Sequence, residues 1–199
     1  MSYKIKPYID LLALMFFLLT LFSCKTTKNK FLNKAFHNTT TRYNWYFNAN
    51  QSYIAGVNQL EAKHNDDYNE ILSVYQLGTI DDVQSISPLM DKALKKCAQA
   101  ISKHSMLIKG REYNRWVDDC YLLIGKAYFN KKEYIKSIEA FRLVSRQFEG
   151  QSSSYEAKIW LIKAFTELNE FGSVELLLEE VLSDETFPVE LNKDLALSV

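Results

Sequence analysis

The sequence is poor in turn-formers. It has six glycines and three prolines in 199 residues. That scarcity argues against the many tight turns of a sandwich or barrel and for helices with short connections. It also lacks net charge, with 24 basic residues against 24 acidic ones. A neutral chain offers no electrostatic footprint for nucleic acid, so no nucleic-acid partner is expected. Three cysteines, Cys24, Cys97 and Cys120, are too few for a disulfide scaffold. Gly56, Gly78, Gly110, Gly125, Gly150 and Gly172 lie far apart, which excludes a phosphate-cradling loop. His37, His64 and His104 have no partner at metal-ligand spacing and read as caps or surface residues. No cofactor, no metal and no catalytic residue is expected. What is abundant is apolar surface, at 47% of residues with 14% aromatic, enough to bury a core and oppose disorder.

The N-terminus reads as an address. Lys4 and Lys6 precede a short apolar run over 11–22, followed by Ser23 and Cys24. A basic start, a short apolar run and a small residue before the cut describe a signal peptide over 1–23. The run is shorter than the ~20 residues a spanning helix needs. Leu21-Phe22-Ser23-Cys24 looks like a bacterial lipobox, which makes Cys24 the candidate lipidation site and the membrane link. Two or more acyl chains give stable anchoring. A polar tether with Lys25, Lys28 and Lys30 is expected over 24–33, and a helical region over 34–110.

Within that region His37 to Thr41 offers N-cap chemistry for a helix running to about Lys63. Its apolar stripe starts with Tyr43, Tyr46 and Phe47 and resumes at Ile54 and Val57. The aromatic run 43–47 is read as core packing in preference to glycan stacking. Asp66-Asp67 opens a shorter helix to Tyr75. Ser87-Pro88 reads as N-cap and first position of the next helix, with Met90, Ala93, Leu94, Cys97 and Ile101 inward. Cys97 and Cys120 are read as unrelated buried thiols, and the acidic doublets 66–67, 81–82 and 118–119 as helix starts.

The segment 111–186 repeats. Tyr121, Gly125 and Tyr128 stand at the spacing of the first helix of a tetratricopeptide hairpin, with Ser137 and Phe141 in its second helix. Gly125 and Ser137 would let the helices approach, and Tyr128 and Phe141 would fill the space beside them. Leu161 to Phe165 aligns with Ile124 to Tyr128, at an offset of 37 residues, with a Ser-rich linker over 150–154. Ile162 and Val174 replace the small residues, so the second hairpin should be wider. The fold expected is all-α, antiparallel helical hairpins forming an α-solenoid. By that alignment Asp119, Lys126, Phe129, Asn130, Glu156, Lys163 and Glu167 face an inner groove able to grip a peptide or partner helix. A further helix starting within 187–199 is unfinished and apolar, which is expected of an N-terminal fragment of a longer array.

Phe36-His37-Asn38-Thr39-Thr40-Thr41-Arg42-Tyr43-Asn44-Trp45-Tyr46-Phe47-Asn48-Ala49-Asn50, just past Cys24, resembles the tetratricopeptide lipoproteins of Bacteroidetes gliding motility and type IX secretion, the SprE and PorW group. His104-Ser105-Met106 and Glu112 to Phe129 are similar too. The resemblance implies a non-enzymatic outer-membrane lipoprotein, facing the periplasm and linking protein partners in a secretion or gliding complex. Two other clients are compatible with the same residues: outer-membrane protein assembly, and glycan binding in nutrient uptake.

Overall fold

The computed structural model describes residues 26–27, 29–63 and 77–198. The expected signal peptide, Cys24, His64 and the helix expected over 66–75 lie outside the described residues. The described part is mostly helical, consistent with the all-α expectation. Helix α1 spans Phe31–Thr40 and continues through a π-helical turn, Thr41–Tyr46, into α2, Phe47–Glu61. Then come α3 (Ile80–His104), a two-stranded hairpin of β1 (Leu107–Ile108) and β2 (Arg111–Glu112), α4 (Val117–Asn130), α5 (Tyr134–Gln147), α6 (Ser152–Glu167), α7 (Phe171–Ser183) and a short α8 (Asn192–Ala196). The strands pair antiparallel, Leu107 with Glu112 and Ile108 with Arg111. Lys109 (φ 53°) and Gly110 (φ 79°) make the two-residue turn, both left-handed as a type I′ turn requires.

The first helical rod departs from the sequence reading in two ways. It starts at Phe31, inside the segment expected to be tether, and runs through His37 to Thr41 instead of being capped there. Its buried residues are His37, Thr41, Ala49, Ser52, Gly56 and Leu60. The stripe expected to be core points largely outward, with Tyr43 57%, Phe47 55% and Ile54 40% exposed. The cause is a close approach to α3, where Ala93, Cys97 and Ala100 are buried opposite Ala49. A Cβ on Gly56 would sit 2.6 Å from Met90 Cε, so the facing positions must be small. The π turn keeps that face in phase. From Thr41 to Ala49 is eight residues, which in a plain α-helix turns the face by about 80°. The turn closes with the Phe47 amide donating to the Arg42 carbonyl, five residues back, and absorbs one residue.

The cap of helix α3, Thr79, lies eight residues before the expected cap. Thr79 Oγ1 accepts from the Asp82 amide (3.2 Å) while the Thr79 amide donates to Asp82 Oδ2 (2.9 Å), a reciprocal capping box. Pro88 therefore lies inside the helix. Ser87 is no cap, and its hydroxyl donates to the Val83 carbonyl (2.9 Å).

The last four long helices form two consecutive hairpins with the same turn. Lys132 and Asn169, 37 residues apart, both have φ 57°. The residues after them, Glu133 and Glu170, each donate an amide hydrogen bond of 2.9 Å, to the carbonyls of Tyr128 and Phe165. In the first hairpin a Cβ on Gly125 would sit 2.4 Å from Phe141 Cε1, in clash with the ring, and Ser137 Oγ donates to the Gly125 carbonyl at 2.9 Å. In the second, Ile162 and Val174 are buried at the corresponding places, and α6 and α7 pack less closely. The Ser-rich segment is not a free linker. It forms the first turn of α6, with Ser153 and Ser154 buried. The main core lies between the hairpins, around Val117, Leu122, Phe141, Ile162 and Val181. Phe141 stacks on Trp160 with centroids 5.8 Å apart. Burying a side chain of that size stabilises the fold by roughly 1.5–3 kcal/mol. Cys97 and Cys120, expected to be unrelated, are neighbours across α3 and α4 in one buried cluster. Their hydrogen bond, then burial, pushes the Cys120 thiol well above its ordinary range.

Candidate partner-binding face

Asp119, Lys126 and Asn130 sit at i, i+7 and i+11 on α4, and Glu156, Lys163 and Glu167 repeat that spacing on α6. The structure brings four of them together. Lys126 Nζ pairs with Glu156 Oε1 at 2.5 Å. Trp160 lies between the two lysines, 5.5 Å from Lys126 Nζ and 4.5 Å from Lys163 Nζ. Asp119 is pushed up to about 6 by burial first and by the Asp118 and Glu156 charges second, with Lys126 opposing. Lys163, 8% exposed, is pulled down to about 8 by burial, with Lys126 adding to the effect and Asp194 and Glu156 opposing. The result is an alternating stripe of acid and base on a half-buried tryptophan.

The other three expected residues lie elsewhere. Phe129 is 3% exposed and packs edge-on against Tyr134 and Trp160, so it belongs to the core. Asn130 donates to the Tyr53 hydroxyl (3.2 Å), tying α4 to α2. Glu167 accepts from the Tyr134 hydroxyl (3.2 Å) inside its own neighbourhood. Of the packing residues, Gly125, Ser137 and Phe141 are buried, while Tyr121 and Tyr128 are half-buried. Trp160, the floor of the stripe, is not among the residues the alignment places there. Its position one turn after Glu156 and three residues before Lys163 is the available signal.

A second constellation joins residues far apart in sequence. His37 Nδ1 lies 2.9 Å from His104 Nδ1, and His37 Nε2 is buried with no hydrogen-bond partner among the described residues. Buried Asn114 donates to Thr41 Oγ1 (2.7 Å) and to the His104 carbonyl (2.9 Å). Asn38 Oδ1 accepts from the Arg115 amide (2.8 Å). The Glu112 carboxylate accepts from the Ser105 hydroxyl (2.6 Å) and from the amides of Met106, Tyr113 and Asn114 (2.7, 3.0 and 2.8 Å). The motif 36–47 thus supplies a latch that holds the loop after α3 against α1. Burial pulls both imidazoles below their ordinary value, which keeps them neutral, and their mutual charge adds to this at His104.

Among the described residues no three His, Cys, Asp or Glu side chains stand close enough to hold a metal ion. No described helix is long and apolar enough to cross a membrane. No protein-family model matches the chain, and no curated protein matches it.

Proposed function

We propose that the chain is a non-catalytic, lipid-anchored adaptor of the bacterial cell envelope, whose tetratricopeptide-like hairpins bind protein partners of a type IX secretion or gliding complex at the outer membrane. The observation that carries the binding reading is the 37-residue repetition of the hairpin turn at Lys132 and Asn169, which sets α4 and α6 side by side and aligns Asp119, Lys126, Glu156 and Lys163 on one face. The electrostatics of that stripe support it. Asp119 and Lys163 are both held where their charged forms are disfavoured, and such groups cluster at functional sites. A partner that supplies complementary charge relieves that cost on binding. The secretion or gliding context rests on the resemblance of 36–50, 104–106 and 112–129, and the anchor on the lipobox ending at Cys24.

The test is a pull-down from native membranes with the tagged full chain, Cys24→Ala, and Lys126→Glu/Lys163→Glu. Secretion or gliding components captured by the parent chain, and lost with the lysine variant, support the reading. Capture of a β-barrel insertase or of a glycan transporter reassigns the client. A Cys24→Ala chain that stays membrane-bound removes the anchor.

A further inference from the structure

The rod of α1 and α2 is partly inverted for a surface helix. Much of its packed side is small or polar, and Phe31, Leu32, Phe36, Tyr43, Phe47 and Ile54 face out, while Trp45, Tyr46, Tyr53 and Leu60 pack inward. Phe31 and Leu32 are 79% and 75% exposed and Phe36 is 48% exposed, all at the end nearest Cys24. The chain around them is strongly one-signed. Between Asp10 and Glu61 there is no acidic residue, while Lys25, Lys28, Lys30, Lys34 and Arg42 fall inside that stretch. In a chain with equal numbers of acids and bases, that segregation calls for an anionic counterpart.

The structure adds a groove beside the apolar end, of about 560 Å³, lined by Lys34, Arg42 and Arg115 together with aromatic rings and no carboxylate. The Arg42 guanidinium lies 5.0 Å from the Tyr43 ring and 5.1 Å from the Trp116 ring, and Lys34 Nζ 5.8 Å from the Tyr113 ring. None of the three cations is in a salt bridge among the described residues. Aromatic rings flanked by basic side chains, next to exposed Phe and Leu, are the chemistry of a membrane interface.

We propose that Phe31, Leu32 and Phe36, with the acid-free groove of Lys34, Arg42 and Arg115, dock onto an anionic phospholipid surface. This rests on the lipid-anchor reading for its geometry. Phe31 stands seven positions after Cys24, and an extended chain of that length spans at most about 25 Å. The anchor therefore holds this end of the rod within reach of headgroups. Apolar side chains enter the interface, and the three cations meet phosphates, each contributing roughly fivefold to docking. The rod then fixes the orientation of the hairpins relative to the membrane.

The experiment uses the full chain expressed in a bacterial host, purified from membranes and reconstituted into protein-free vesicles. Mass spectrometry of the N-terminal peptide reads acylation of Cys24 separately, so failure of the anchor is seen on its own. An environment-sensitive fluorophore is attached at Leu32→Cys and, as a control, at Glu175→Cys; Cys97 and Cys120 are fully buried. In vesicles containing phosphatidylglycerol, lipid-borne quenchers should quench the probe at 32 and leave that at 175 unaffected. Quenching at 32 should weaken in phosphatidylcholine alone. It should also weaken in the K34Q/R42Q/R115Q variant, by about a hundredfold in docked-to-free ratio at roughly fivefold per charge removed. Equal quenching at 32 and 175, or quenching unchanged by lipid charge and by the triple variant, overturns the proposal. Protection of position 32 only in native membranes, and not in protein-free vesicles, also overturns it and assigns the face to a protein.

Discussion

His37 and His104, 67 positions apart, face each other Nδ1 to Nδ1 at 2.9 Å inside the joint between α1 and α3. One nitrogen must carry the proton and the other must accept it, so the pair cannot be doubly charged. Both imidazoles are pulled below 6.5 in the folded chain. Above that pH the unfolded chain is neutral too, and stability is full. As pH falls through 6.5 the unfolded chain takes up protons that the folded chain refuses, and stability drops. Denaturant midpoints measured from pH 8 to pH 5 should fall below about pH 6.5. His37→Phe/His104→Leu should flatten that limb. A doubly substituted chain whose midpoint changes from pH 8 to 5 in the same way as the parent's would remove the pair from the account.

Asp119 works in the opposite sense. Its folded value is raised to about 6 from 3.8, so the charge it carries at neutral pH costs stability. Asp119→Asn should raise the unfolding midpoint at pH 7 to 8, with the gain shrinking as pH falls below 6. If the stripe binds a partner, the same substitution should weaken capture. A more stable protein with undiminished capture would take Asp119 out of the binding face.

Two helical glycines should respond oppositely to an added side chain. Gly125→Leu drives atoms into the Phe141 ring and should cost about 1–3 kcal/mol by overpacking. At Gly172 in α7 a Cβ would meet nothing within 4 Å, so Gly172→Ala should stabilise by up to about 1 kcal/mol through helix propensity. Thermal or chemical unfolding of both variants checks the contrast. An unchanged midpoint for Gly125→Leu would mean that the close approach at Phe141 is not there.

The latch should depend on Asn114. Asn114→Ala removes donors to Thr41 and to the His104 carbonyl in a buried site and should cost about 1–3 kcal/mol. Hydrogen exchange should rise first at the amides of Met106 and Arg115, which the latch holds. Uniform loss of protection across the chain would argue that no separate latch exists.

The hairpins are legible in the sequence because their information is local. Gly125, Ser137 and Phe141 each sit at a fixed offset within one helix pair, and the structure packs them together. The first rod is not legible in the same way. A π turn breaks the 3.6-residue period, so periodicity points the large aromatics inward where the close helix crossing demands Ala49, Ser52 and Gly56. Ser87-Pro88 looks like a stronger helix start than Thr79, whose cap depends on the Asp82 carboxylate reaching back. The His37–His104 contact is set by tertiary packing across 67 residues, which spacing alone does not report. Alignment places Phe129 in the groove, but its size and apolarity take it into the core beside Trp160.

The π turn at Thr41–Tyr46 also fixes what the rod can tolerate. Arg42, Tyr43 and Asn44 are exposed, so exchanging one of them alters the surface and leaves the packing against α3 in place. Adding one residue would turn the whole downstream half by about 100°, carrying Gly56 off Met90 and swinging a bulky side chain toward α3, whereas removing one would let the π turn relax to a plain α-helix in the same phase. In this stretch the chain is sensitive to added length and lenient toward identity, so the number of residues between His37 and Ala49 acts as a phase setting for everything built on the first rod.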